Sequence, residues 1–233
     1  MMRRLISLFY VAVWVLPIFG AQVANFENDE NVKSNQVLSR YKNNSVVFLK
    51  NDSFFIAELD SRGKIVNATY TTDFDRIQPE GQFAYSEKSG ELYYVNGGKL
   101  FKAKQRKSGK WVNSAYIEVK GSEVKRDKYP GSVLAYANWR YLPKDSIVIV
   151  NPTINSQGDV LYFSSNMNNV KSRDIWEMSK DQNGEWGNPV RLDASVNTVD
   201  ADEDFPFVND EGMLVFASNR GNASQSDSTY SLF

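Results

Sequence analysis

The chain contains no histidine and no cysteine, so its reactive side chains are limited to carboxylates, hydroxyls, amides and cations. Catalysis by a Ser-His-Asp or Cys-His arrangement is therefore excluded, as are zinc and copper sites built from imidazole or thiolate. The sequence also lacks a Gly-x-Ser-x-Gly elbow, a P-loop and a dinucleotide-binding glycine motif. The remaining options are carboxylate chemistry, such as glycoside hydrolysis, or calcium binding through oxygen ligands.

The acidic run at residues 200–204 is the candidate for both kinds of chemistry. Asp200, Asp202 and Asp204 alternate along this run and could hold Ca²⁺, while a carboxyl pair could serve as acid and base. The spacing does not match the calcium loop of an EF-hand. The alternative is a structural role, in which the carboxylates accept backbone N–H groups at the start of the next strand. Calcium is the only cofactor that the sequence indicates, and the indication is weak.

Candidate binding residues lie in two further places. Trp139, Arg140 and Tyr141 combine the residue types that dominate binding hot spots, and their rings could stack on a sugar. The alternative for this group is a buried Trp beside a Tyr on a strand. Asn166 and Arg220 follow two similar strands and are expected at one rim of the fold, where turn formation is the alternative role.

A repeated segment supplies the elements that would position these residues. Pro152 and Pro206 lie 54 residues apart, each is followed six positions later by Gly, and each copy ends in a β-prone run closing at Ser-Asn. Weaker copies occupy residues 89–96 and 43–50. This recurrence predicts a repeat architecture in which Gly158 and Gly212 occupy equivalent bends.

A second landmark, Gly-Lys/Glu-Ile/Trp, recurs at Gly63, Gly109 and Gly184. The first interval of 46 residues matches one four-stranded propeller blade, and the longer second interval predicts an insertion around residues 129–142. Short β-prone runs bounded by Asn-Gly and Asp-x-x-Gly turns fill each unit, and no long helical periodicity is present. The predicted fold is an all-β propeller-type array of four-stranded antiparallel blades, with about four units and the last one incomplete.

Trp111 and Trp186 hold matched repeat positions and are expected in the core.

Several motifs resemble the TolB-like, WD-repeat-related (WD40-like) β-propeller repeats of Bacteroidetes envelope proteins, which are often joined to OmpA-like domains. They are Asp-Ile-Trp at 174–176, Asn-Gly-Glu-Trp at 183–186, Asp-Glu-Asp-Phe-Pro-Phe at 202–207 and Phe-Ala-Ser-Asn-Arg at 216–220. The resemblance covers residues 151–220 strongly, 81–111 moderately and the preceding residues faintly. It implies a rigid binding or scaffold protein of the envelope, and it places the Asp202-Glu203 stretch in a connection between blades.

The first 21 residues have the layout of a secretory signal peptide, with Arg3-Arg4, an apolar run to Phe19 and then Gly-Ala-Gln. Because this run is short for a membrane span, we expect an exported protein that is periplasmic, outer-membrane-associated or extracellular, and not integral to the membrane. Residues 22–42 are expected to form a leader, either disordered or serving as a closing strand, and residues 43–233 the propeller-like domain. Three alternatives remain open for that domain: a truncated longer propeller, a closed four-bladed ring, or an open array completed by a partner.

The formal net charge of −1, from 27 basic and 28 acidic residues, argues against a nucleic-acid partner. The absence of catalytic motifs, together with what the resemblance implies, predicts a non-catalytic binding or scaffold protein that recognises an envelope protein or a polysaccharide such as peptidoglycan. Two alternatives are a glycan-active propeller enzyme that uses carboxylates, and a fragment of a longer OmpA-like envelope protein.

Overall fold

The computed structural model describes residues 36–119, 147–168, 172–221 and 230–233, which form fifteen β-strands and no helix. The first sheet contains β1 (Gln36–Tyr41), β2 (Ser45–Lys50), β3 (Ser53–Leu59) and β4 (Ile65–Thr71). The second contains β5 (Ala84–Ser86), β6 (Glu91–Asn96), β7 (Lys99–Gln105) and β8 (Trp111–Tyr116). The third contains β9 (Ile149–Ile154), β10 (Val160–Ser165), β11 (Asp174–Ser179) and β12 (Val190–Arg191). The fourth contains β13 (Glu203–Val208), β14 (Leu214–Ser218) and β15 (Ser231–Leu232).

The four sheets are arranged as the blades of a β-propeller. Within each sheet consecutive strands pair antiparallel, and the first strands of successive sheets touch: β1 contacts β5, β5 contacts β9, and β9 contacts β13. Each sheet therefore packs face to face on the next, with its first strand innermost. This confirms the predicted fold, and the described part of the fourth blade has three strands instead of four.

The repeated glycines occupy equivalent bends, as the sequence predicts. Gly158 has a φ of 72° and its N–H donates to the carbonyl of Asn155 at 3.0 Å, while Gly212 has a φ of 84° and donates to Asn209 at the same distance. In both turns the Asn side chain accepts two backbone N–H groups that follow it. Glycine suits this position because a left-handed backbone carries no Cβ penalty there.

The inner strands of the last two blades carry a bulge at an X-Pro pair. Asn151 and Phe205 each have a φ of 51° and each precedes a proline, Pro152 or Pro206. The pairing register shifts at both places, between Tyr162 and Ser164 and between Asp204 and Phe207. Since a left-handed Phe is sterically unfavourable, the surrounding blade packing must maintain this conformation.

The start of the propeller differs from the boundary that the sequence suggested. Residues 36–41, expected in a leader, form β1 and pair with β2 from Gln36–Leu49 to Tyr41–Ser45. They belong to the first blade and do not complete the last one. The signal-peptide prediction for residues 1–21 and the insertion predicted around 129–142 fall outside the described residues.

The core lies at three junctions between blades, and a smaller apolar cluster of Val46, Phe48 and Ala57 lies on the other face of the first sheet. The first junction, between sheets one and two, is apolar and contains the fully buried Trp111. The second, between sheets two and three, is also apolar, and Trp186 packs half-buried against it. Both tryptophans therefore pack in the core, as predicted. The third junction, between sheets three and four, is built mainly from polar and charged side chains.

Candidate functional site

The inner strands end around a cavity of about 430 Å³ at one mouth of the central channel. All four blades contribute to its wall, through the ends of β1, β5, β9 and β13 and the turns that follow them. Residues from these segments line it: Ser39, Arg40, Tyr41, Asn43, Asn44, Gln82, Ala84, Tyr85, Glu87, Thr153, Ile154, Asn155, Ser156, Phe207, Val208 and Asp210. We call this cavity the mouth pocket. Its volume falls in the range of small-ligand sites in proteins.

Gln82 crosses the channel beneath the mouth pocket. Its amide Nε2 donates to the carbonyl of Pro206 at 2.9 Å and lies 3.5 Å from that of Pro152. Because these carbonyls belong to the third and fourth blades while Gln82 precedes β5, the side chain bridges three blades. At the same channel, Asn151 donates to Asp204 at 2.8 Å. These bridges give the pocket a polar floor.

Three aromatic residues from different blades line the mouth pocket: the buried Tyr41 and the half-buried Tyr85 and Phe207. Tyr85, on β5, is half-buried and packs against Tyr41 and Trp111 with centroid separations of 5.1 and 6.0 Å. Burial, helped by the nearby Glu87 carboxylate, raises the pKa of Tyr85, so its hydroxyl stays protonated at neutral pH. Phe207, on β13, is half-buried and supplies an apolar wall.

Several polar groups of the mouth pocket are not used by the fold. In the described part of the chain, Thr153, Glu87, Asn43 and the Tyr85 hydroxyl form no hydrogen bond or ion pair with another side chain or with the backbone. By contrast, Asn155 holds its own turn by accepting the N–H groups of two following residues. The first group is therefore free to bind a ligand.

The charges at the mouth pocket are one cation and two anions. Arg40 Nη1 lies 3.0 Å from Asp210 Oδ2, and their side chains are 45% and 70% exposed, so solvent screens this pair strongly. Glu87 stands exposed at the rim. The lining side chains therefore carry a formal charge of −1.

Arg220 lies away from the mouth pocket, in the third junction. Its Nη2 donates to Glu203 Oε1 at 3.2 Å and to the carbonyl of Val196, and Nε donates to Ser218. The guanidinium also stacks over the rings of Phe216 and Phe233, at 5.1 and 4.6 Å. These contacts hold the fourth blade together and attach it to the third. They give Arg220 a structural role, and its predicted binding role stays a prediction.

Glu203, the glutamate of the Asp-Glu pair, is the buried centre of this junction. It is completely buried, and its carboxylate accepts hydrogen bonds from the backbone and hydroxyl of Thr198 and from Ser218, in addition to Arg220. Nearby, Arg191 binds Asp174 through two hydrogen bonds of 2.8 Å, and this partner raises the arginine pKa. Buried charges are tolerated here because each is paired and hydrogen-bonded.

The three aspartates proposed for calcium do not converge. Asp204 binds Asn151 and lies 3.1 Å from Arg173, while Asp202 accepts the N–H of Arg173 and the hydroxyl of Tyr230. Within the described residues no group of three or more acidic side chains is arranged to hold a metal. The carboxylates of Asp202 and Asp204 therefore serve the alternative that the sequence allowed, a structural role.

The other predicted binding residues are partly accounted for. Asn166 accepts the N–H of Val148 at 2.8 Å and so joins the end of β10 to the chain entering β9. Trp139, Arg140 and Tyr141 lie outside the described residues, so their binding role stays a prediction.

Sequence reasoning missed the mouth pocket. One signal was present: the two clear repeat copies agree at Pro, Gly and Ser-Asn, but the residue after the proline is Thr153 in one and Phe207 in the other. Both side chains line the pocket. A position that differs between otherwise similar repeats is free of the packing constraint that they share.

No family model matches the chain, and no curated protein matches it. The solved structures that are similar to it, all at low identity, include the following three. A protein from Lactobacillus plantarum shares 8% identity with a TM-score of 0.40, covering 85% of this chain and 53% of that one. TolB from Acinetobacter baumannii shares 12% identity with a TM-score of 0.35, covering 85% and 37%. The Dos1 propeller shares 10% identity with a TM-score of 0.36, covering 79% and 42%. The chain thus spans about half, or less, of the structures it matches, and the fold assignment rests on the sheet arrangement itself.

Proposed function

We propose that this protein is a non-catalytic β-propeller binding module that receives part of its partner in the mouth pocket. The observation that carries the proposal is a concave site of about 430 Å³ in which several polar side chains, among them Thr153, Glu87 and the Tyr85 hydroxyl, are left unused by the fold. Pockets with a few convergent polar groups among apolar walls are the usual form of a ligand site. The blades around it supply a rigid frame.

We place this module in the bacterial cell envelope, with an envelope protein or a polysaccharide as its partner. The support comes from the amino-terminal signal-peptide pattern and from the resemblance of the repeats to those of envelope proteins. In the part of the chain that the structure describes, no helix has the length and apolarity needed to cross a membrane.

Blocking the mouth pocket tests the proposal. Ser156 is an exposed turn residue at its rim, and Gln157, the next residue, is equally exposed but does not line it. The full chain and its Ser156→Trp and Gln157→Trp variants would be passed over immobilised envelope polysaccharide and immobilised envelope protein. We expect retention on one of the two supports, lost in Ser156→Trp and kept in Gln157→Trp. Equal retention of both variants, or of none of the three proteins, would overturn the proposal.

The carboxylate-enzyme alternative has one observation in its favour, since Glu87 and Asp210 both line the mouth pocket. Asp210, however, is exposed and paired with Arg40, whereas the general acid of a glycosidase is a carboxyl group in a buried, apolar setting. Hydrolysis of a glycan by the purified chain, abolished by Glu87→Gln or Asp210→Asn, would replace the binding proposal with the enzymatic one.

A further inference from the structure

The groups left unused in the mouth pocket share one chemical character. The Thr153 and Tyr85 hydroxyls both donate and accept, the Asn43 amide donates and accepts at different atoms, and the Glu87 carboxylate accepts. A polyhydroxylated ligand complements such a set because each of its hydroxyls also donates and accepts. The carboxylate can accept from two adjacent hydroxyls at once.

The rings complete the match to a sugar. A pyranose has an apolar face of C–H groups, which packs on an aromatic ring while the hydroxyls at its edge reach polar side chains. Tyr85 and Phe207 present ring surface to the pocket from the second and fourth blades, and the Tyr85 hydroxyl provides a polar group beside the ring.

The charge of the pocket selects among saccharides. Arg40 and Asp210 offset each other in an exposed pair, which leaves the Glu87 carboxylate to repel an acidic ligand. An acidic sugar or a phosphate group would lose hydration and would have to displace Asp210 to reach Arg40. Neutral sugars incur no such penalty.

The floor limits how the ligand can enter. Because Gln82 bridges to Pro206 and Pro152 beneath the mouth pocket, a polymer cannot pass along the channel at this level. A ligand must therefore enter from the open mouth, and only the end of a chain, or a short branch, can fill the pocket.

From these features we infer that the mouth pocket binds the terminal unit of a neutral saccharide chain, stacked against Tyr85 and hydrogen-bonded by Thr153 and Glu87. The inference rests on the proposed binding function and specifies its ligand. Acidic saccharides and peptides are the competing ligand classes, and the experiment below separates them from the neutral sugars.

Calorimetric or NMR titration of the full chain tests the inference with defined probes. The neutral probes are trisaccharides of glucose, galactose, mannose and N-acetylglucosamine, and the competitors are trigalacturonate and a set of unblocked tripeptides. We expect at least one neutral trisaccharide to bind, and trigalacturonate to bind at least about tenfold more weakly. Ser156→Trp should abolish binding, whereas Gln157→Trp should leave it unchanged.

Single-atom variants locate the sugar. Thr153→Val and Tyr85→Phe each remove one hydroxyl and should weaken binding by roughly 2- to 10-fold, the effect of one neutral hydrogen bond. Thr69→Val, on the exposed strand β4 outside the pocket, is the matched control and should have no effect.

Three results overturn the inference, in distinguishable ways. Peptide or trigalacturonate binding that is lost in Ser156→Trp, without binding of any neutral trisaccharide, would show the wrong ligand class while the binding function stands. Neutral-sugar binding that Ser156→Trp, Thr153→Val and Tyr85→Phe all leave intact would place the sugar elsewhere and contradict the proposed function too. Binding of no probe at all would reject the saccharide assignment.

Discussion

The first and third junctions join neighbouring blades by opposite means. At the first junction Tyr41, Phe74 and Trp111 pack ring against ring, with centroids 5.6 to 6.3 Å apart, and the polar contact among these rings is the bond from Trp111 Nε1 to the Tyr41 hydroxyl at 3.1 Å. At the third junction the completely buried Glu203 is paired with Arg220 instead. Ring packing dominates the first junction, whereas directional bonds to buried charges dominate the third.

The difference indicates what the repeated motifs do. Apolar packing tolerates rearrangement as long as volume and shape are kept, whereas a buried ion pair leaves an uncompensated charge if either partner is lost. The polar motif residues Asp174, Asn197, Glu203 and Arg220 all belong to the third junction or to the blades that form it. We infer that these motifs fix the position of the fourth blade, while ligand binding is left to the mouth pocket.

Removal of the central carboxylate should break the third junction. Glu203→Ala is expected to lower the free energy of unfolding by about 3–5 kcal/mol, because it leaves the Arg220 guanidinium and the Thr198 donors unpaired. Urea denaturation monitored by tryptophan fluorescence measures the change. Glu211→Ala, at an exposed position in the β13–β14 turn, is the control and should stay within about 0.5 kcal/mol of the parent. Equal costs for the two variants would contradict the account.

Substitutions of similar side-chain volume should lower the free energy of unfolding by different amounts at the two junctions. Asn197 is buried and satisfies the N–H and carbonyl of Ile175 and the carbonyl of Leu192, so Asn197→Leu should cost about 3 kcal/mol as these groups lose partners worth ~1–3 kcal/mol each. Leu92→Met, a swap of similar volume at the first junction, should cost less than about 1.5 kcal/mol. If the same denaturation assay gave indistinguishable values, the contrast between the junctions would be lost.

The hydrogen bond from Trp111 to Tyr41 at the first junction should give a smaller, pH-dependent effect. Tyr41→Phe leaves the buried Trp111 N–H without its acceptor and should cost about 1–2 kcal/mol near neutral pH. Burial raises the pKa of Tyr41 to about 12, above its ordinary value near 10. The stabilisation from its neutral form is therefore complete below pH 10 and is lost as the pH rises through 12.

Unfolding free energies measured from pH 9 to 12 test this dependence. The parent should lose stability across this range, and Tyr41→Phe should show a flatter profile. A variant profile as steep as that of the parent would show that Tyr41 does not contribute to the alkaline loss.

The smallest effect is expected where the first and fourth blades approach. Arg40 and Asp210 form an exposed ion pair of 3.0 Å between these blades, and such pairs contribute about 0.2–1 kcal/mol. A double-mutant cycle with Arg40→Ala and Asp210→Ala should give a coupling in this range that shrinks with added salt. A coupling well above this range, insensitive to salt, would mean that this pair contributes substantially to holding the first and fourth blades together.

The sequence predicted the second strands of the blades better than the first strands. β10 and β14 are continuous apolar runs after a Gly turn, so local pattern reveals them. In contrast, β9 and β13 are interrupted by bulges at Asn151-Pro152 and Phe205-Pro206, and a bulge breaks the two-residue alternation by which a strand is recognised in a sequence. Residues 22–42 were expected to form a leader, either disordered or serving as a closing strand, and the place of β1 in the first blade depends on its pairing with β2.

The functional site was less accessible to sequence reasoning. The mouth pocket combines residues from four repeats, such as Tyr85, Thr153 and Phe207, which converge only when the blades close around the axis. Arg220, in turn, has the composition of a binding residue, but its guanidinium is engaged by Glu203 and by two aromatic rings. Residue type alone does not distinguish a cation that binds a ligand from one that joins two blades.

A paired measurement of stability and affinity on Arg220→Lys and Thr153→Val tests the division of roles most directly. Lysine cannot reproduce the forked contacts of Arg220, so that variant should unfold more easily yet bind the trisaccharide with the affinity of the parent once the folded fraction is accounted for. Thr153→Val should show the reverse, with stability retained and affinity reduced. Loss of affinity in folded Arg220→Lys, together with unchanged affinity in Thr153→Val, would contradict the account.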